Sequence, residues 1–132
     1  MRLIFILLSL LWSSCDYYDN RLRIKNNSNA DIAVETYLDS IPTIEESNSS
    51  AYYLREIVKK QGTSSLTMPG STQAWIFFIE RSKNKKLNIC VFNKDTIIKY
   101  GVIDSLINKN LYKKYIISKS YLDSTQWVVQ IN

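Results

Sequence analysis

The chain has 132 residues, a formal net charge of +5, 45% hydrophobic residues and no histidine. Its length suits one domain with a single core. The lack of histidine removes the commonest general base and the commonest metal ligand, two cysteines cannot form a zinc site alone, and three glycines leave no phosphate-cradling loop. No metal, cofactor or nucleic-acid partner is expected.

In chain order, Arg2 and the amino terminus give a positive start, and Leu3 to Trp12 is an apolar run of ten. Ser13 and Ser14 are small and precede Cys15. This is the layout of an export signal; a membrane span needs roughly 20 apolar residues. It resembles the signal of bacterial lipoproteins, in which a small residue precedes a cysteine that receives a diacylglyceryl group. Trp12 departs from the Leu-like residue usual in those signals. The resemblance implies a cleaved signal over 1–14, lipid attachment at Cys15 and a short tether over 15–19. The alternatives are cleavage without lipidation, an uncleaved anchor, or a buried helix. Asp16-Tyr17-Tyr18-Asp19 resembles the acidic tethers of surface lipoproteins. Removing residues 1–14 takes one arginine with them and lowers the net charge to +4. Such mild basicity suits contact with anionic head groups or glycans, and equally a solvated surface. Arg81, Lys83, Lys85 and Lys86 cluster between two apolar runs and read as a loop.

A single globular β-rich domain is expected over 20–132. Residues 20–25 alternate polar and apolar, with Leu22 and Ile24 on one face, and 31–38 alternate again after the turn cluster 26–29. Together they predict an antiparallel hairpin. Residues 39–50 read as loop. Residues 51–60 predict a helix ending at Gly62, with a strand over Leu54 to Val58 as the alternative. A strand follows over 63–68, stopped by Pro69-Gly70. Residues 74–79 are a dense apolar run that takes Trp75 into the core. A buried strand runs from Leu87 to Phe92, and Asp95 or Thr96 can cap one or two short helices over 97–108. Strands at 115–117 and 127–131 flank a turn of helix capped by Ser118. The expected class is mainly β (α+β): a compact antiparallel β-sandwich-like domain with a few short helices, behind a cleaved signal peptide.

The mature chain resembles small, uncharacterised lipoproteins of gut Bacteroidetes. The carrying residues are Asn26-Asn27-Ser28 with Asp31-Ile32, Tyr37-Leu38-Asp39-Ser40, the run from Leu87 to Thr96, and Tyr115 to Ser118 leading to Gln126-Trp127. The chain departs from that pattern at Val102, in its shortened loop at Asp39-Ser40, and at Ile131-Asn132. The resemblance implies a lipid-anchored protein of the outer membrane or cell surface and brings no catalytic residues.

Four of the seven aspartates are followed by Ser or Thr. The resulting tripeptides are similar to the O-glycan acceptor of exported Bacteroidetes proteins, which makes Ser40, Thr96, Ser105 and Ser124 candidate acceptors. Helix and turn capping explains the same pairs. Cys90, in an apolar run, reads as a small buried hydrophobe. Glu45 and Glu46 are adjacent loop carboxylates with no partner base. Tyr17, Tyr18, Tyr52 and Tyr53 are the aromatics least explained by a core. The expected function is non-enzymatic: a lipid-anchored binding or accessory domain, with membrane, other envelope proteins or glycans as partners. A surface hydrolase acting on glycan or peptide through carboxylates, and a purely structural component, are the alternatives. A concave pocket with two convergent carboxylates would overturn the non-enzymatic reading in favour of the hydrolase; an exposed aromatic strip favours binding over a structural role.

Overall fold

The computed structural model describes residues 17–44 and 47–132. The signal run and Cys15, and the Glu45-Glu46 pair, lie outside the described residues. The chain forms β1 (Tyr18–Asn26), β2 (Ile32–Tyr37), α1 (Ser50–Tyr53), β3 (Ile57–Val58), β4 (Thr63–Pro69), α2 (Ala74–Arg81), β5 (Leu87–Asn93), α3 (Lys94–Tyr100), α4 (Ile103–Asn108), β6 (Lys113–Ile117), α5 (Lys119–Ser124) and β7 (Val128–Ile131).

The strands make two sheets, ordered β4-β1-β7 and β3-β2-β5-β6. Every pair is antiparallel except β1 with β7. Alternation decides the packing. Leu22 and Ile24 on β1 and Val129 and Ile131 on β7 face Leu87, Ile89 and Val91 on β5, and Trp75 and Ile79 of α2 join this core. The intervening residues of β5, Cys90 and Phe92, point the other way, where Tyr53, Ile97, Ile103 and Leu106 cover them. The molecule is therefore a sandwich with short helices on the outer face of its larger sheet. β5 is buried on both faces, which is why its sequence is almost continuously apolar.

Three local expectations are corrected. β1 and β2 do not form a hairpin; they belong to different sheets. Alternation shows that each strand has a buried face, but both sheets offer one, and the Asn/Ser cluster makes a corner between them. Fully buried Asn26 holds that corner. Its amide donates to the carbonyls of Ala30 (2.8 Å), Val58 (3.1 Å) and Lys59 (3.2 Å). Its side-chain oxygen accepts from the Ser28 amide and hydroxyl. The same side chain thus ties two of the crossings between the sheets, β1 to β2 and β3 to β4.

Secondly, the expected helix over 51–60 is a single turn followed by β3. A continuous helix would put Ile57 and Val58 on neighbouring parts of one face. As a strand they reach two different cores, and they pair with Ala33 and Ile32. Gly62 is not a helix end. Gln61 takes the left-handed φ of 59°, and a Cβ on Gly62 would lie 3.0 Å from the Lys59 carbonyl oxygen. Thirdly, the cap of α3 is Asn93, whose side chain accepts from the amides of Asp95 and Thr96. The helical stretch then breaks at Gly101, which closes α3 in the left-handed conformation at φ 73°.

Candidate functional site

The most chemically varied concavity is a cleft of about 410 Å³ beside β2, where the end of β4 and helix α1 approach it. Glu35, Tyr37, Tyr52, Tyr53 and Glu56 all line it. A second recess of about 320 Å³ adjoins it, sharing Glu35, Tyr52, Tyr53 and Glu56 and adding Arg55. Each residue has a local reason to be there. β2 alternates, so Glu35 and Tyr37 take positions two apart on the strand. Ser49 caps α1 by accepting from the Ala51 amide, and that one turn carries Tyr52 and Tyr53 to the cleft. The chain then turns into β3 and leaves Arg55 and Glu56 exposed at the rim.

The tyrosines form a connected wall. Tyr52 and Tyr53 meet edge to face at 5.1 Å, and Tyr53 continues to Phe92 at 5.8 Å. The Arg55 guanidinium lies 4.7 Å from the centre of the Tyr52 ring. Tyr37 is only 3% exposed, and its hydroxyl has no hydrogen-bond partner among the described residues. Burial pushes its phenol pKa far up, with the neighbouring Tyr53 side chain and Cys90 adding to it, so it remains a neutral hydroxyl. A buried, unpaired hydroxyl in the wall of a cleft is a ready point for a polar ligand group or a water. Chemically the cleft offers aromatic faces, hydroxyls and two carboxylates, which suit hydroxyl-rich or cationic groups.

The adjacent carboxylates that the sequence offers, Glu45-Glu46, have no partner base there and lie outside the described residues. Glu35 and Glu56 are far apart in sequence; the pairing of β3 with β2 brings them to one cleft. Half-buried Tyr52 is a cleft wall, and Tyr53 is both a cleft wall and part of the core over Phe92. No group of three or more His, Cys, Asp or Glu side chains suited to a metal occurs among the described residues.

The O-glycan candidates are scattered. Ser40 lies on irregular backbone after β2, and its hydroxyl approaches Asp39 at 3.4 Å. Thr96 is in the first turn of α3, Ser105 is inside α4, and Ser124 ends α5, with its hydroxyl donating to the Tyr121 carbonyl. Asp123 binds Lys119 at 2.7 Å and accepts from the Trp127 indole at 3.0 Å. Cys90 is buried with a free thiol, and burial pushes its pKa up to about 11, so it is a poor nucleophile at neutral pH. In the basic cluster, Lys83 pairs with Asp39 at 2.6 Å and Lys85 donates to the Glu80 carbonyl.

Comparison with family models, curated proteins and solved structures gives no match, so the reading of this cleft rests on its own geometry.

Proposed function

We propose that this chain is a lipid-anchored, non-enzymatic protein of the cell envelope, held at the outer membrane or cell surface through Cys15, and that the cleft beside β2 is its ligand site. The convergence of Tyr37, Tyr52, Tyr53, Glu35 and Glu56 on one cleft carries the reading. Tyrosine faces stack on the apolar faces of sugar rings, and carboxylates accept hydrogen bonds from sugar hydroxyls. The ligand class that fits is a neutral or cationic oligosaccharide. The signal layout and the resemblance to Bacteroidetes lipoproteins support the envelope address.

The test is titration of the mature protein with an oligosaccharide panel. Tyr52→Ala should weaken any bound oligosaccharide about tenfold, or about 1.4 kcal/mol. An affinity unchanged in Tyr52→Ala, or a panel without a ligand, contradicts the reading.

One observation favours a second reading, a carboxylate hydrolase: two glutamates line the cleft, and glycoside hydrolysis uses a pair of carboxyl groups. Against it, Glu56 is exposed, whereas a catalytic acid is commonly kept protonated by desolvation. The two readings separate on product. The hydrolase requires shortened oligosaccharide from the unmodified protein and none from Glu35→Gln or Glu56→Gln; the binding reading predicts no product from any of the three.

A further inference from the structure

The first described residue, Tyr17, is only two positions from the proposed lipid-bearing Cys15. The Tyr17 carbonyl accepts from the Gly70 amide at 3.0 Å, and Tyr18 pairs with Pro69 in the sheet. From Cys15 to Tyr17 is two residues and to Tyr18 three, so an extended arm reaches at most about 7 and about 10 Å. The head-group layer of one leaflet is about 5–7 Å thick. A domain on so short an arm is held in or directly against the head-group layer.

The end of the domain at which that arm emerges has the surface for such contact. Tyr17 is 59% exposed, Tyr18 48% and Phe77 53%. Phe77 and Gly70 line one groove of about 540 Å³ with Met68, Pro69 and Arg81. Phe77 breaks the pattern of its helix: Trp75 and Ile79 enter the core while Phe77 stays in solvent. Aromatic side chains with a polar neighbour suit the interface between head groups and acyl chains.

Resting on the lipid-anchor reading, we infer that the end of the sandwich formed by Tyr17, Tyr18, the Pro69-Gly70 turn and Phe77 is a membrane-docking face that lies in the head-group layer of the anchoring bilayer. The opposite end, at the Asn26–Asn29 corner, is about 27 Å away along β1 and points to bulk solvent. This orientation sets β1 upright on the membrane and leaves the sides of the sandwich open.

The test uses the acylated, full mature protein in vesicles of phosphatidylethanolamine and phosphatidylglycerol, with Cys15 acylation first established by mass. A fluorophore is placed through Thr72→Cys, beside the groove, or through Asn29→Cys at the far corner; buried Cys90 does not compete for label. Lipids bearing a shallow quencher should reduce Thr72→Cys emission roughly twofold and leave Asn29→Cys unchanged, as expected for a probe within and one beyond the head-group layer. Adding Phe77→Ser to Thr72→Cys should weaken the quenching. Equal quenching at both ends, or none at position 72 with Cys15 acylated, overturns the docking face and leaves the anchor standing. Position 72 shielded in detergent as well as in vesicles would assign the face to a second copy of the chain, and also overturns it. An unacylated Cys15 ends both the anchor and this inference.

Discussion

Two buried polar side chains carry opposite accounts of this molecule. Asn26 is wholly buried and satisfied: its amide holds three carbonyls from two segments, and its oxygen accepts twice from Ser28. Replacing it removes the partner of several buried groups at once, and each unsatisfied group costs about 1–3 kcal/mol. Tyr37 is buried and its hydroxyl is unpaired among the described residues. Removing that oxygen relieves a buried polar atom that makes no hydrogen bond among the described residues. Urea denaturation should therefore show Asn26→Leu destabilised by about 3 kcal/mol or more and Tyr37→Phe unchanged or up to about 1 kcal/mol more stable. A Tyr37→Phe loss comparable with that of Asn26→Leu would mean that the Tyr37 hydroxyl is satisfied in the free protein and is not open to a ligand. Neither role was legible in the sequence. Asn26 sat in a run of turn formers, and Tyr37 was one alternating residue in a strand.

At the scale of elements, two helices lack a side-chain cap of their own and borrow one from a distant segment. Gln73 makes no cap bond at the start of α2; instead the Asp19 carboxylate, 3% exposed, accepts from the Trp75 amide at 3.1 Å. A register shift between Asp19 and Leu22 makes this possible, because it lets two residues an odd number apart both face inward. Val102 makes no cap bond at the start of α4, and Asn48 accepts from the Asp104 amide at 2.7 Å. Each borrowed cap therefore fixes the position of an element as well as its end. Asp19→Ala should cost about 1–2 kcal/mol in equilibrium unfolding, more than Asn48→Ala, because it also unpairs the half-buried Arg21. A near-zero cost for Asp19→Ala would show that α2 does not depend on it.

The same caps show where sequence reasoning stops. Periodicity located the strands well: 20–25, 63–68, 87–92 and 127–131 all lie in or largely in observed strands, and Ser118 caps α5 as expected. Periodicity is a local signal. It could not say that β1 joins β4 and β7 while β2 joins β5, nor that an acid placed in the tether belongs to β1 and caps a helix more than fifty residues away. The cleft was half legible. Tyr52 and Tyr53 stood out as surplus aromatics, but Glu35 and Glu56 come together only through the β2–β3 pairing, which the expected helix would have prevented.

For the whole molecule, the charges predict a stability profile. Asp31 is held below the usual carboxylate range, first by the Lys60 backbone amide and then by Lys59. Asp39 and Asp123 are lowered chiefly by their bonds to Lys83 and Lys119. Depressed acids add stability that is present above their unfolded value of 3.8 and lost as pH falls through the lower folded values. Cys90 has the opposite sense: raised from 9.0 to about 11, it adds stability that is full below 9 and lost as pH rises from there. With no histidine in the chain, the melting temperature should be flat between about pH 5 and 8. A step within that window would point to a carboxylate with a raised pKa, and so towards the hydrolase reading of the cleft.

The short arm, the orientation and the address all depend on Cys15. Cells expressing the protein and its Cys15→Ala variant can be separated into membrane and soluble fractions. The account predicts that the unmodified protein stays with the membrane through high salt and alkaline carbonate and leaves only with detergent, while Cys15→Ala is released to the soluble fraction. A Cys15→Ala protein that remains with the membrane through the same washes contradicts it.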